Sequence, residues 1–317
     1  MFLVTLLIIN LIFAFIAWVY CKLTSGVCSS SRHLVGTTVI VTGANAGIGY
    51  ETAKDLAARG ARVILACRSE TRGLAAKDQI AAATRNSDVH YQHLDLASLK
   101  SVRSFTDNIL KTEKRLDILV NNAGCYGSNF EKTEDGLLLE MQSNHFGPFL
   151  LTNLLLPLLK SSAPSRIVNV SSVAHMGAVI DFDNLNAEKE TKETYSKITV
   201  YCNTKMCNIL MTVELERQLK GTGVTVNALH PGIIATGIAA HERLTKYALF
   251  FLKPYCKTPW EGAQTTIHLA VALELSGTSG RYFRDCREVK PSKQAQDTEL
   301  ARKLWEASER LVKFKTA

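Results

Sequence analysis

The chain has 317 residues, of which 46% are hydrophobic and 21% charged. That is the balance of a globular protein with core enough for one large α/β domain or two small ones. Its net charge of +8 comes from lysines and arginines scattered without a block of like charge, which argues against nucleic acid as a partner. The eight cysteines form no Cys-x-x-Cys pair and no zinc-like spacing with histidine, so they read as reduced structural thiols and no metal is expected.

Met1 to Cys21 carries no charged side chain, and Phe2 to Tyr20 is almost wholly apolar. That run is long enough to cross a bilayer core of about 30 Å as a helix. Trp18 and Tyr20 fall at one end, where an aromatic belt belongs. A cleaved signal peptide would have a basic start and a shorter apolar core, although Cys28-Ser29-Ser30 could pass for a cleavage site. Residues 1–21 are therefore expected to be a retained transmembrane anchor. Lys22, Arg32 and His33 follow the span, so the positive-inside rule leaves the rest of the chain in the cytosol. The expected membrane is that of the endoplasmic reticulum. Residues 22–36 read as a polar linker and 37–317 as the folded domain.

That domain opens on a short β-branched run, Val39-Ile40-Val41, which reads as a buried parallel strand. A turn with Gly43, Asn45, Gly47 and Gly49 follows, and then a helix with Ile48, Thr52, Ala53 and Leu56 on one face. Strand, bare glycines and a helix N-terminus are the parts of a dinucleotide-phosphate site. Arg62 to Cys67 is a second buried strand ending at Arg68. An acid there would take a free ribose hydroxyl, whereas an arginine takes a 2′-phosphate, so the cofactor expected is NADP(H). Ser69 to Arg85 is an alanine-rich helix. Val89 to Leu96 is a third strand, whose closing Asp95-Leu96 meets the adenine or caps the next helix. That helix begins near Ser98 and buries Val102, Phe105 and Ile109. Leu116 to Val120 is a fourth strand, and Asn121-Asn122-Ala123-Gly124 lets the chain pass close to a ligand at the carboxyl edge of the sheet.

Thr42-Gly43-x-x-x-Gly47-Ile48-Gly49 and Asn121-Asn122-Ala123-Gly124, with strands and helices alternating between them, resemble the short-chain dehydrogenase/reductase family over about residues 36 to 285. The resemblance implies a Rossmann-type, doubly wound parallel sheet in a single domain. Glu131 to Ser161 reads as one long helix interrupted by Pro148 and Pro157. Asn144 in it matches the family's asparagine that holds a water in a proton relay. Arg166 to Ser172 is the fifth strand, and by the family pattern Ser172 is the substrate-side hydroxyl. Asn169-Val170-Ser171 is formally a glycosylation sequon, but a buried strand is a poor acceptor. Ala178 to Ser196 reads as a polar loop.

Tyr201 and Lys205 stand at i and i+4, on one face of a helix. A phenol with a pKa near 10 is a weak acid at neutral pH, and a neighbouring ammonium stabilises the phenolate and is expected to lower that value toward working pH. The family has serine before the lysine, and Thr204 keeps the hydroxyl. Gly223 to His230 is a sixth strand, closed by Pro231-Gly232, which with Thr236 matches the family's nicotinamide side. Leu244 to Pro254, the family's substrate flap, is unusually apolar. It suits a lipophilic substrate, contact with the bilayer, or an ordinary packed helix. Glu261 to Leu273 is a helix, Gly280 to Phe283 a last strand, and Thr298 to Val312 an amphipathic helix with Leu300, Leu304, Trp305, Ala307 and Leu311 turned inward or toward lipid.

Gly280-Arg281-Tyr282-Phe283-x-Asp285-Cys286, Lys303-Leu304-Trp305-Glu306, Val173-Ala174-His175 and the apolar N-terminus resemble the retinol dehydrogenase branch of that family. The resemblance implies an oxidoreductase acting on retinol or retinal. Tyr201 would be the acid, Ser172 the hydrogen-bond donor to the carbonyl, Lys205 the tyrosine's ammonium and a ribose ligand, and Asn144 the relay. A steroid, a prenol or a lipid aldehyde is the alternative substrate, and a non-catalytic NADP(H)-binding membrane scaffold the alternative class. A homo-oligomer is compatible with either.

Overall fold

The computed structural model describes residues 15, 16, 19, 22, 24–234 and 256–314. The expected span from Phe2 to Tyr20 lies almost wholly outside them, as do Thr236 and Leu244 to Pro254. Among the described residues no helix is long and apolar enough to cross a membrane.

Among the described residues eight strands form one sheet: β1 Thr38–Thr42, β2 Arg62–Cys67, β3 Val89–His93, β4 Ile118–Asn121, β5 Ser165–Val170, β6 Val224–His230, β7 Tyr282–Arg284 and β8 Arg287–Glu288. Their order is β3-β2-β1-β4-β5-β6-β7-β8. All neighbours are parallel except the final β7–β8 hairpin. Three helices cover one face: α1 Gly47–Ala58, α2 Glu70–Thr84 and, far along the chain, α6 Pro259–Val271. The other face carries α3 Leu99–Thr112, α4 Gly147–Ser161, α5 Lys197–Leu219 and α7 Thr298–Leu311. The period-2 alternation of strands explains why β1 is apolar at every inward position. Val39 and Val41 pack against the α1 side while Ile40 packs against the α3 side. This is the doubly wound sheet expected.

Two readings need correction. The helix expected from Glu131 begins only at Leu139, because Lys132 to Leu138 form a small antiparallel bridge that turns at Gly136, with φ at +75°. A first turn Leu139–Met141 then runs through a π-helical turn, Gln142–Phe146, into α4. The third strand stops at His93, short of Leu96. The polar stretch before α5 is the irregular loop expected, but it is pinned: Leu185, Asn186 and Ala187 are buried, and Asn186 Oδ1 accepts from Leu138 N at 2.6 Å.

The helix α7 turns inward. Trp305 stacks edge-on against Phe149 with ring centroids 4.7 Å apart, and Ser308 Oγ meets His145 Nε2 at 2.8 Å. Leu300 and Leu311 are only partly buried. The linker docks rather than floats. Lys22 pairs with Glu261 at 2.7 Å, Cys28 N donates to Gln264 at 3.1 Å, and Arg59 holds the carbonyls of Ser30 and Arg32.

Candidate functional site

The carboxyl ends of β1 and β4 lie side by side where the strand order reverses, the crevice in which open α/β sheets take ligands. Gly43 leaves β1 at φ +66°, and Gly47 opens α1 at φ +59°. A β-carbon on Gly43 would stand 3.0 Å from Ala123 Cα, and one on Gly49 would stand 2.4 Å from Asn122 Nδ2. The residue before α1 is Ala46, which has no side chain to cap the helix. The first N–H groups of α1 therefore point out uncapped, as an anion site requires. These bare backbones fit a pyrophosphate. Asn122 is chiefly the turn's fastener. Its amide donates to Thr42 O at 2.8 Å, and Thr42 Oγ1 accepts from the N–H groups of both Asn122 and Ala123 at 3.0 Å.

Arg68 stands exposed just past β2, with no hydrogen-bond or ion-pair partner among the described residues. The Cys67 thiol beside it accepts from the backbone of Ala44 and Asn45, which ties the glycine turn to the β2 end, and burial pushes its pKa up to about 11. Asp95 folds back on its own turn: Oδ1 accepts from Ala97 N at 3.0 Å. Leu96 lies in the core with its carbonyl under Gly147, and Ile48 packs toward Gly262 on α6. Pro231 is buried, while Gly232 takes φ +98° with Lys257 against it.

Ser172, Tyr201 and Lys205 come together beyond β5. Ser196 caps α5, and the helix then presents Tyr201 and Lys205 one turn apart. The Tyr201 hydroxyl is hydrogen-bonded to Ser172. Lys205 Nζ sits 5.5 Å from the Tyr201 ring centroid and donates to Val170 O at 3.4 Å. It is only 4% exposed, and a β-carbon on Gly124 would lie 3.3 Å from it. Phenol and amine thus lie beside the turn that follows β4. Burial, not the ammonium, dominates both groups. It pushes the Tyr201 phenol up to about 12, although the bond from Ser172 opposes this, and pushes the Lys205 ammonium down to about 8. The expected downward shift of the tyrosine is therefore not found, and the phenol holds its proton at neutral pH.

Asn144 lies in the π-helical turn, a form that clusters at functional sites. Its side chain is already engaged. Nδ2 donates to Cys125 O at 2.8 Å and Thr204 Oγ1 at 3.2 Å, and Oδ1 accepts from Cys125 N at 2.8 Å. It therefore pins the strand-end segment down onto α5. Thr204 links this clamp to the tyrosine by donating to Tyr201 O at 2.8 Å.

Several supporting residues escaped the sequence reading. His175 meets Ser172 O at 2.7 Å through Nδ1 and accepts from Ser292 N through Nε2, and His230 Nδ1 accepts from Val173 N at 3.2 Å. Together they fix the turn that carries Ser172. The Val-Ala-His triplet was the available signal. The described cysteines are all free, and among the described residues no cluster of His, Cys, Asp and Glu is built to hold a metal.

A sequence profile for short chain dehydrogenases matches residues 37–246. Retinol dehydrogenase 13 of Homo sapiens is 47% identical over 297 residues, spanning 91% of this chain and 88% of that protein. Retinol dehydrogenase 12 of Bos taurus is 44% identical over 310 residues, spanning 96% and 97%. Among solved structures, a putative uncharacterized protein from Mycobacterium paratuberculosis superposes with a TM-score of 0.72 at 33% identity, covering 89% of this chain and 95% of that one. The Pseudomonas aeruginosa RhlG/NADP active-site complex gives 0.62 at 26%, covering 79% and 95%. The matched region holds the glycine turn, Ser172, Tyr201 and Lys205, and with relatives this similar over nearly the whole chain, the protein belongs to the short-chain dehydrogenase family.

Proposed function

We propose that this protein is a membrane-anchored, NADP(H)-dependent oxidoreductase that interconverts a lipophilic alcohol and its carbonyl, with retinol and retinal the leading pair. The observation that carries the chemistry is the convergence of Ser172, Tyr201 and Lys205 beside Gly124. When bound, the nicotinamide supplies or accepts the hydride. In reduction Tyr201, which holds its proton at pH 7, donates it to the carbonyl oxygen, and Ser172 hydrogen-bonds that oxygen. Lys205 offers its ammonium to the ribose and to the phenolate as it forms. In oxidation the phenolate takes the alcohol proton, so that direction gains as pH rises.

Gly43, Gly47 and Gly49 cradle the pyrophosphate, Arg68 takes the 2′-phosphate, and Asn122 to Gly124 with Pro231-Gly232 line the nicotinamide side. The relatives' names put retinoids first. The side chains neighbouring the site agree with an apolar substrate. Val173, Met176 and Val179 follow Ser172, Ile198 precedes Tyr201 by one turn, and Ile233 follows Gly232, all of them exposed. Residues 1–21 anchor the chain in the endoplasmic reticulum membrane, 22–36 connect and 37–317 form the cytosolic catalytic domain. The supports are the apolar run and the basic residues after it.

The test is turnover of retinal, a steroid ketone and a long-chain aldehyde with NADPH and NADH, in the full chain and in Tyr201→Phe. Retinal reduction with NADPH, cut at least about 100-fold in the variant with NADPH affinity kept, is the expected result. Equal activity in Tyr201→Phe overturns the assignment.

A further inference from the structure

Glu140 is fully buried, on the turn that precedes the π-helical segment. Its Oε2 accepts from Ser128 N at 3.1 Å and the carboxylate also from Gly127 N, while Oε1 has no hydrogen-bond partner among the described residues. Asn144, one turn further along, grips Cys125 from both sides. Two successive turns of one helix therefore hold down both ends of the segment from Cys125 to Ser128. Between those ends Tyr126 lays its ring edge-on against Tyr201, with centroids 5.1 Å apart and planes at 76°. A buried carboxyl with an oxygen left over is costly, and a purely structural clamp would be served as well by a neutral acceptor.

The charged and titratable groups around Glu140 come from three sides. Lys205, Lys197 and Tyr201 face it from α5, Tyr195 from the segment before α5, and Cys125 from the clamped segment. Glu131 is the other carboxylate acting on Tyr195. Tyr195 also has a buried hydroxyl without a hydrogen-bond partner among the described residues. Burial raises the Glu140 carboxyl to about 7, against the pull of the Ser128 and Gly127 N–H groups and the two lysines. Once ionised, it makes the phenolate of Tyr201 harder to form and the ammonium of Lys205 easier to keep.

We propose that Glu140 is a positioning residue for the catalytic pair: through Gly127, Ser128 and Tyr126 it seats the phenol of Tyr201, and its charge adds to burial in disfavouring the phenolate. This rests on the reading of Tyr201 as the acid and base. The consequence is a bias. A carboxylate behind the pair keeps Tyr201 loaded for carbonyl reduction and delays alcohol oxidation to higher pH.

The experiment is the pH profile of kcat for retinol oxidation with NADP+ in the wild-type protein and in Glu140→Gln, which keeps an acceptor for Ser128 N and removes the charge. The expected result is an ascending limb moved to lower pH by on the order of one unit, a roughly tenfold change in the ionisation constant, with melting temperature little changed. A purely structural role would lower kcat without moving that limb. A variant that folds and keeps the wild-type limb overturns the proposal. If Glu140→Gln does not fold, Tyr126→Leu tests the seating of the phenol: kcat must fall several-fold with KM nearly constant, and an unchanged kcat overturns it. Loss of turnover in Tyr201→Phe alongside an unmoved limb in Glu140→Gln would sink this inference alone. An active Tyr201→Phe would sink the reading beneath it.

Discussion

Gly49→Ala tests whether the glycine turn is as tight as its geometry says. The added methyl would lie 2.4 Å from Asn122 Nδ2, 2.5 Å from Gly43 O and 3.0 Å from Gly43 C. The Asn122 side chain can retreat only by giving up its 2.8 Å bond to Thr42 O, a loss of about 1 kcal/mol. Gly43 O cannot retreat by a rotamer change, because it is main chain held at φ +66°. The start of α1 must shift instead, an overpacking of about 1–3 kcal/mol. The combined cost is roughly 2–4 kcal/mol. Because the same shift misaligns the N–H groups that would face the pyrophosphate, part of the loss falls on binding. About 1.4 kcal/mol is tenfold, so the NADPH Kd should rise by about 10- to 100-fold. Titration calorimetry and urea unfolding measure the two parts. In an Asn122→Ala background the nearer clash is gone, and the same substitution should cost about 1 kcal/mol less. A Gly49→Ala protein that binds NADPH within about twofold of the wild type and unfolds at the same urea concentration would refute the argument.

Two further outcomes are expected. Arg68→Glu places a carboxylate at the exposed end of β2 and should weaken NADPH by about 10- to 100-fold while improving NADH, read as Kd by fluorescence titration; equal loss for both cofactors would remove Arg68 from the 2′-phosphate site. His145 is fully buried, and burial holds its pKa down at about 3. The unfolded chain takes up this proton below about 6.5, so the stability present above that pH is lost as pH falls toward 3, at about 1.4 kcal/mol per unit. His145→Gln, which can still meet Ser308, should flatten the stability curve by about that slope between pH 6 and 4, and parallel curves would count against the shift.

The strands were legible because they are buried on both faces. Val39 to Val41 and Arg62 to Cys67 have no polar alternation to confuse with a helix. The candidate site was legible wherever the proposed chemistry demands fixed spacing: glycines in the turn between β1 and α1, tyrosine and lysine one helical turn apart. The misreadings have local causes. Leu137-Leu138-Leu139 looked like helix interior and masked the Asp135-Gly136 turn signal just before it. The β7–β8 hairpin turns on Asp285 and Cys286, both at positive φ, with no glycine or asparagine to announce it. Glu140 was invisible because a glutamate in a helical window reads as a solvated face, and only packing shows it buried. The shift of Tyr201 was misjudged for the same reason: spacing reveals the nearby ammonium but not the desolvation that outweighs it.

The site is also built on a polar thread through the sheet, and this separates architecture from chemistry. Asn121 Nδ2 on β4 donates to Thr152 Oγ1 on α4 at 2.9 Å and to Asn169 Oδ1 on β5 at 2.8 Å; Asn169 Nδ2 then donates to Thr212 Oγ1 on α5 at 2.9 Å. The sequon asparagine is thus only 2% exposed, with its amide committed to the core, which makes it a poor glycan acceptor. Asn169→Leu would strand one donor of Asn121 and leave Thr212 without its incoming bond, while Thr152 and Asn208 O still hold the outer ends. One stranded buried group costs about 1–3 kcal/mol. The helix that carries Tyr201 and Lys205 is tied independently, since Lys205 Nζ and Asn208 Nδ2 both reach Val170 O and Ser171 Oγ donates to Lys205 O. Stability should therefore fall by about 2 kcal/mol while kcat stays within a few-fold and the pH limb of Tyr201 does not move. A hundredfold loss of kcat at unchanged stability would mean that the thread belongs to the reaction and not only to the frame.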